Sequence, residues 1–270
     1  MIKVSNLSFS YQQGSPILSA INLDFDTRTT AIIGQNGAGK TTFVKLLKGL
    51  LKPYGGEIFI QNLRVNDSTA AELAKTIGLV FQNPNEQIFK RNVLDEAMFG
   101  PLNIKMSTHT ARQKAMEALE MVGLNDKLDV NPHDLSLSEK KLLCIAAVVA
   151  MDTDIIIFDE PTIAQDHAGK EKIRNIIKTL KEKHKLVMTI IHDMDFVAGN
   201  FERTIVLNEG KVILDGDTRS VFTAKEILQN AHVEAPAITQ LGEKLGYKET
   251  FLSVGEFIEM YKHVTEKNSL

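Results

Sequence analysis

The chain has 270 residues, 24% of them charged and 43% hydrophobic, with a formal net charge of −3 at pH 7. That length carries a full α/β core with room for a smaller second unit. The near-neutral balance shows no basic excess of the kind that marks a nucleic-acid partner, and a lone cysteine, Cys144, leaves no internal disulfide and fits a reducing cytosol.

Residues 2–11 alternate loosely (Ile2, Val4, Leu7, Phe9) and read as a strand ending at Tyr11. A turn follows at 12–16, where Gly14, Ser15 and Pro16 cluster. Residues 17–25 alternate again. The short apolar run at 30–33 suits a buried strand, and Phe43, Val44, Leu46 and Leu47 are spaced as on a helix. Between these two lies Gly34-Gln35-Asn36-Gly37-Ala38-Gly39-Lys40-Thr41-Thr42, which fits the G-x-x-x-x-G-K-[ST] loop at every fixed position. Residues 55–60 and 79–81 supply further short strands, the second broken after Gln82 by Asn83-Pro84-Asn85. From there to Val149 the character is helical. Ala111, Ala115, Met116, Ala118, Leu119 and Val122 form one stripe that Gly123 ends. The most apolar window, 142–149, is too short to span a bilayer and takes in Cys144 as a buried hydrophobe. Strands at 155–158 and 186–191 flank a helix over 170–183. A hairpin joins 204–207 to 211–214, and 220–270 hold two or three short helices. Alternating strands and helices predict a parallel sheet covered on both faces, with the early alternating strands as a small β layer near the glycine loop. The first residues lack the apolar stretch of a signal peptide, so any membrane is expected to be met through a partner.

Strand, glycine loop and helix come in the order that nucleoside-triphosphate binding needs. Glycines let backbone N–H groups of Gly34 to Gly39 turn inward on phosphates, and the helix N-terminus adds partial positive charge. Lys40 reaches the β- and γ-phosphates, the Thr41 hydroxyl suits Mg²⁺, and Thr42 completes the site. The strand at 155–158 ends in Asp159-Glu160, at the strand tip where parallel sheets place ligands. Asp159 is suited to hold Mg²⁺ and Glu160 to polarise the attacking water. Alone, such a pair is equally a helix cap or a solvated turn. His192 follows the strand ending at Ile191 and meets the same crevice, where an imidazole senses a γ-phosphate. His109, His133, His232 and His263 read as surface residues. Gln82 is placed to contact Mg²⁺ or the water. Tyr11 is placed to stack on adenine, or is simply a half-exposed sheet aromatic.

The order Tyr11, glycine loop, Gln82, Leu135-Ser136, Asp159-Glu160, Asp166, His192 resembles the ATP-binding subunits of ATP-binding-cassette transporters over residues 1–220. Val80 to Phe89, then Glu96-Ala97-Met98-Phe99-Gly100-Pro101, and Pro236 to Leu241 resemble its energy-coupling-factor subfamily, the vitamin, cobalt and nickel importers of prokaryotes. The resemblance implies an α/β fold: a P-loop NTPase parallel sheet, an antiparallel β subdomain, a helical insertion at about 83–149 and a small C-terminal helical extension. Residues 1–220 would be the nucleotide-binding domain and 221–270 the extension, with dimerisation as its family role. ATP and Mg²⁺ are the implied cofactors. A second ATPase subunit, a transmembrane coupling subunit and a substrate-binding membrane protein are the implied partners, at the cytoplasmic face of the membrane. Glu86, Asp95 and Glu96 become candidates for gripping a coupling helix, or else solvated helix charges.

The chain departs from the family where the signature Leu-Ser-Gly-Gly-Gln is expected, reading Leu135-Ser136-Leu137-Ser138-Glu139. In the cassette dimer that signature faces the partner's nucleotide, its Ser and glycine backbone touching the γ-phosphate. Ser136 and Glu139 still form an S-x-x-E capping box, while Leu137 puts a branched side chain where bare backbone is needed. Ile163-Ala164-Gln165-Asp166-His167 keeps the aspartate but replaces the leucine before it and the proline after it. These departures predict a heterodimer in which this chain's Lys40, Asp159, Glu160 and His192 serve the working site. Two other readings stand beside this one: a regulatory half-site that binds ATP with little hydrolysis, and a soluble cassette protein of DNA repair or translation.

Overall fold

A computed structural model describes residues 1–12 and 14–267, with side chains through Lys262. Gln13, in the expected turn, and the side chain of His263 lie outside it. The strands are β1 Ile2–Phe9, β2 Leu18–Phe25, β3 Thr30–Ile33, β4 Gly55–Ile60, β5 Leu63–Arg64, β6 Ile77–Val80, β7 Ile155–Asp159, β8 Leu186–Ile190, β9 Arg203–Asn208 and β10 Lys211–Asp217. The helices are α1 Lys40–Leu47, α2 Ala70–Leu73, α3 Val93–Asn103, α4 Thr108–Val122, α5 Leu137–Val149, α6 His167–Glu182 and α7 Met194–Asn200. They continue as α8 Thr218–Thr223, α9 Lys225–Asn230, α10 Ala237–Lys244 and α11 Val254–Lys267.

Among the described residues the strands form two sheets. One is antiparallel, in the order β2-β1-β4-β5; the other runs β10-β9-β3-β8-β7-β6. In the second, β9, β3, β8, β7 and β6 are parallel and β10 closes the edge as an antiparallel hairpin with β9. The central strands are buried on both faces, so their sequences are continuous apolar runs without alternation. The period of two still sorts them. Ala31, Ile33, Ile156 and Phe158 join a core with α3, α4, α5 and α6. Ile32, Ile155 and Ile157 face the opposite core, with α1 and the antiparallel sheet. This is the expected sheet covered on both sides, with a β layer against the glycine loop.

Boundaries moved where capping decides them. β1 stops at Phe9, whose carbonyl accepts from Ile17 N–H at 2.8 Å, so Tyr11 lies in the bend beyond the strand. α1 begins at Lys40, ahead of the apolar spacing, because Gly39 in the left-handed region opens it. Gly123 (φ 70°) ends α4 as expected. After β10 the described residues hold four helices where two or three were expected, because an Asp217 cap starts α8 directly at the end of β10. The Arg219–Glu256 ion pair at 2.7 Å joins α8 to α11, and Ala237 N–H donates to Asp195 Oδ1 on α7 at 2.8 Å, tying the segment down. Cys144 is buried and its thiol is pushed up to about 12 by burial, so it serves as a small hydrophobe. His109, His133 and His232 are exposed.

Candidate nucleotide site

The loop between β3 and α1 owes its path to two glycines. Gly34 has φ 147°, and a Cβ there would sit 2.1 Å from the Leu207 carbonyl oxygen on β9; at Gly39 (φ 99°) a Cβ would meet Leu18 at 2.6 Å. Only glycine lets the loop lie this close to the neighbouring chain. Lys40 Nζ donates to the carbonyls of Gly34 at 2.7 Å and Gln35 at 3.0 Å, so the lysine spans its own loop. Gln35 Nε2 donates to Asn208 Oδ1 at 3.2 Å.

A cleft of about 350 Å³ opens above this loop, at the carboxyl ends of the strands. Tyr11, Asn36, Gly37, Ala38, Gly39, Lys40, Thr41, Thr42, Gln82, Asp159, Glu160 and His192 line it. Gly34 and Gln35 line an adjoining cleft of about 580 Å³, shared with His192 and the residues that lead into α10. Tyr11 is 59% exposed, with its hydroxyl 3.3 Å from Thr42 Oγ1 and its ring edge-on to Phe9. Ser136 and Asp166 do not line the cleft. Ser136 caps α5 with Glu139 in the expected capping box, and Asp166 caps α6 by accepting from Gly169 N–H at 2.7 Å.

Asp159 and Glu160 are 3% exposed, and Asp159 Oδ1 and Glu160 Oε2 have no hydrogen-bond partner among the described residues. Buried carboxylate oxygens without partners are costly, which points to a ligand-facing role. Burial pushes the Asp159 carboxyl above its usual range, against the pull of the Thr41 hydroxyl and of Lys141 and Lys40. Burial also lifts Glu160, to about 7; Asp159 adds to that rise, while Lys40 and Lys141 oppose it. Glu160 Oε1 is 3.2 Å from His192 Nε2. Burial and Lys40 hold His192 below its ordinary value. The raised acid and the lowered imidazole both weaken the charge on this contact relative to a full ion pair. Glu160 has φ 52°, a left-handed conformation uncommon for a side-chain-bearing residue.

Four side chains around the site were given no role of their own by the sequence. Lys141 on α5 is 4% exposed and donates to the Glu160 carbonyl at 2.6 Å; its only sequence signal is a cation at the edge of an apolar run. Ser138 Oγ donates to Gln165 Oε1 at 2.9 Å, and Gln165 Nε2 donates back to Ser138 O at 3.2 Å. The two departures from the family pattern are thus bonded to each other. Gln87 accepts from Phe81 N–H at 3.0 Å and donates to Cys144 O at 3.2 Å, linking the end of β6 to α5.

The expectation for Glu96 is corrected. It is 3% exposed, so it is no solvated helix charge; it accepts from the N–H groups of Phe89 and Lys90 at 3.0 and 2.8 Å, bracing a loop, and contributes to the lining of the groove beside it. Asp95 accepts from Asn92 Nδ2 at 2.8 Å and Glu86 is exposed. Beside them an apolar groove of about 570 Å³ is lined by Phe81, Phe89 and Phe99, with Glu86 and Gln87 among its polar residues.

A family profile described as ABC transporter matches residues 18–163. The energy-coupling factor transporter ATP-binding protein EcfA2 of Caldanaerobacter subterraneus subsp. tengcongensis is 38% identical, covering 90% of this chain and 88% of the relative. Among solved structures, cbiO1 of Clostridium perfringens, part of the ABC transporter complex cbiONQ, superposes with a TM-score of 0.75 at 33% identity, over 90% of this chain and 98% of that one. A dimeric ATP-binding cassette in a post-hydrolysis state, bound to ADP and Pi, gives 0.74 at 31% identity, over 81% and 99%. With its glycine loop and paired carboxylates in one cleft, the chain belongs to the ATP-binding subunits of ABC transporters and is an ABC-type ATPase that resembles the energy-coupling-factor branch.

Proposed function

We propose that this chain is the ATP-hydrolysing subunit that powers a membrane importer of the energy-coupling-factor type, for a vitamin or a transition metal, as one half of an ATPase heterodimer. The observation that carries the reading is Glu160: a buried carboxylate with one oxygen 3.2 Å from His192 Nε2 and the other without a hydrogen-bond partner among the described residues, beside Lys40 and Asp159. Glu160 accepts the proton of the attacking water as the water's oxygen bonds to the γ-phosphorus in line and ADP leaves. Lys40 turns from its loop carbonyls to the phosphate oxygens, and His192 steadies both Glu160 and the γ-phosphate. The donor set fits Mg²⁺: a half-buried Thr41 hydroxyl and an unpartnered Asp159 oxygen, with Gln82 lining the same cleft. Mg²⁺ takes few protein ligands when phosphates supply the rest. When bound, it neutralises charge on the β- and γ-oxygens. Tyr11 is left to stack on adenine.

Peripheral attachment at the cytoplasmic face of the membrane follows from this reading. No helix among the described residues is long and apolar enough to cross a bilayer. The groove beside Phe89 and Phe99 suits an apolar coupling helix of a transmembrane subunit, with Glu86 in its lining for a basic side chain. The experiment is Glu160→Gln. Turnover is expected to fall at least ~100-fold while ATP binding persists, as for loss of a general base; full activity would remove Glu160 from the role.

A regulatory half-site is the second reading. Leu137, 51% exposed at the first turn of α5, favours it for the site that uses this chain's signature.

A further inference from the structure

Glu160 keeps its left-handed backbone, φ 52°, only because its surroundings hold it. Its N–H donates to the Ile190 carbonyl of β8 at 2.9 Å, a bond supplied by the sheet. Its carbonyl accepts from Lys141 Nζ at 2.6 Å, a bond supplied by α5, the helix that begins at Ser136. Lys141 is 4% exposed. A packing role would be met by an apolar side chain, and burying an ammonium costs free energy unless charge and hydrogen bonds compensate it. Here the compensation comes from Glu160 and Asp159, which pull the Lys141 ammonium back toward its charged form against burial. The next turn of contact has the same direction. Ser138 and Gln165 exchange bonds between the start of α5 and the loop that follows Glu160. The helix start and the turn carrying the carboxylate are thus joined at two points.

We propose that Lys141 is a positioning residue for ATP hydrolysis, holding the Glu160 main chain in its left-handed turn so that the carboxylate is aimed at the attacking water, and tying that aim to the position of α5. This rests on Glu160 being the general base. In a dimer whose signature helices face the partner's nucleotide, one chain's α5 touches one site and its Glu160 serves the other.

The test compares Lys141→Met, Lys141→Arg and Glu160→Gln in complexes purified through a tag on the full chain. The readouts are steady-state ATP hydrolysis, the Kd of a fluorescent ATP analogue with Mg²⁺, and Tm. Methionine keeps the length and removes charge and donor; arginine keeps both. Lys141→Met is expected to lower kcat ~10- to 100-fold, part of what a general base contributes, with Kd unchanged within about twofold, and Lys141→Arg is expected to recover most of the rate. Unchanged kcat in Lys141→Met beside an inactive Glu160→Gln would overturn the proposal alone. So would loss of kcat, nucleotide affinity and Tm together without rescue by arginine, the pattern of a purely structural lysine. Full turnover in Glu160→Gln would overturn the base assignment, and this proposal with it.

Discussion

Two adjacent carboxylates at the end of β7 differ in what surrounds them. Burial raises the Asp159 carboxyl above its usual range, while the Thr41 hydroxyl and Lys141, Lys40 and Lys45 pull it back toward the charged form in which it would hold a cation. Glu160 is lifted to about 7, which suits a group that takes up a proton near neutral pH. A base works in its ionised form, so activity grows as pH rises through that value. The profile of kcat/KM reports the free enzyme, before Mg-ATP brings its charges, and is expected to climb through an apparent pKa of about 7. A profile flat from about pH 5.5 to 8.5 would contradict this environment for Glu160. Most of this site was legible in the sequence because its chemistry is local: the glycine loop, the strand-tip carboxylates and His192 each sit at a fixed offset from an apolar run. Lys141 and Gln165 were not, since their roles depend on where α5 and the loop after β7 meet in space. Glu96 misled for the related reason that a carboxylate followed by helix reads alike whether it faces water or braces the preceding loop.

At the scale of the element, α5 separates architecture from recognition. Ser136 and Glu139 keep the capping box, and Glu139 is held well down, to about 2, by Lys127 and by the Ser136 N–H and hydroxyl. The helix therefore starts where the sequence says it should. Leu137, exposed in its first turn, is what a phosphate would meet. Replacing Leu137 and Ser138 with glycine costs about 1 kcal/mol of helix stability or less per site, and leaves Gln165 Nε2 bonded to the residue-138 carbonyl. In a heterodimer whose Glu160 site is silenced by glutamine, the double change is expected to raise turnover at the opposite site about tenfold or more, the scale of one donor at a developing charge. No gain in single-turnover hydrolysis would count against the account of the signature. Element types were readable from periodicity for every strand but β5, two residues long and too short to show a period, whereas ends shifted wherever a cap decided them. Tyr11 and Gln82 both fall just past their strands for that reason.

At the scale of the molecule, one sheet with two cores positions everything described above. β3, β7 and β8 bring the glycine loop, the carboxylates and His192 to one edge, and the helices behind them carry the signature to another face. The C-terminal extension docks beside α7 through Asp195 and walls the cleft next to Gly34–Asn36. Under the proposed heterodimer a working site takes an intact signature from a second chain, whereas two copies of this chain would bring two altered ones. The most direct measurement is the mass of the Glu160→Gln chain in solution, with and without Mg-ATP, by light scattering. The account predicts a chain that binds ATP yet keeps the mass of a monomer until the second ATPase is added. An ATP-dependent homodimer would mean that Leu137 is tolerated at the phosphate, and would contradict the asymmetric pair of sites.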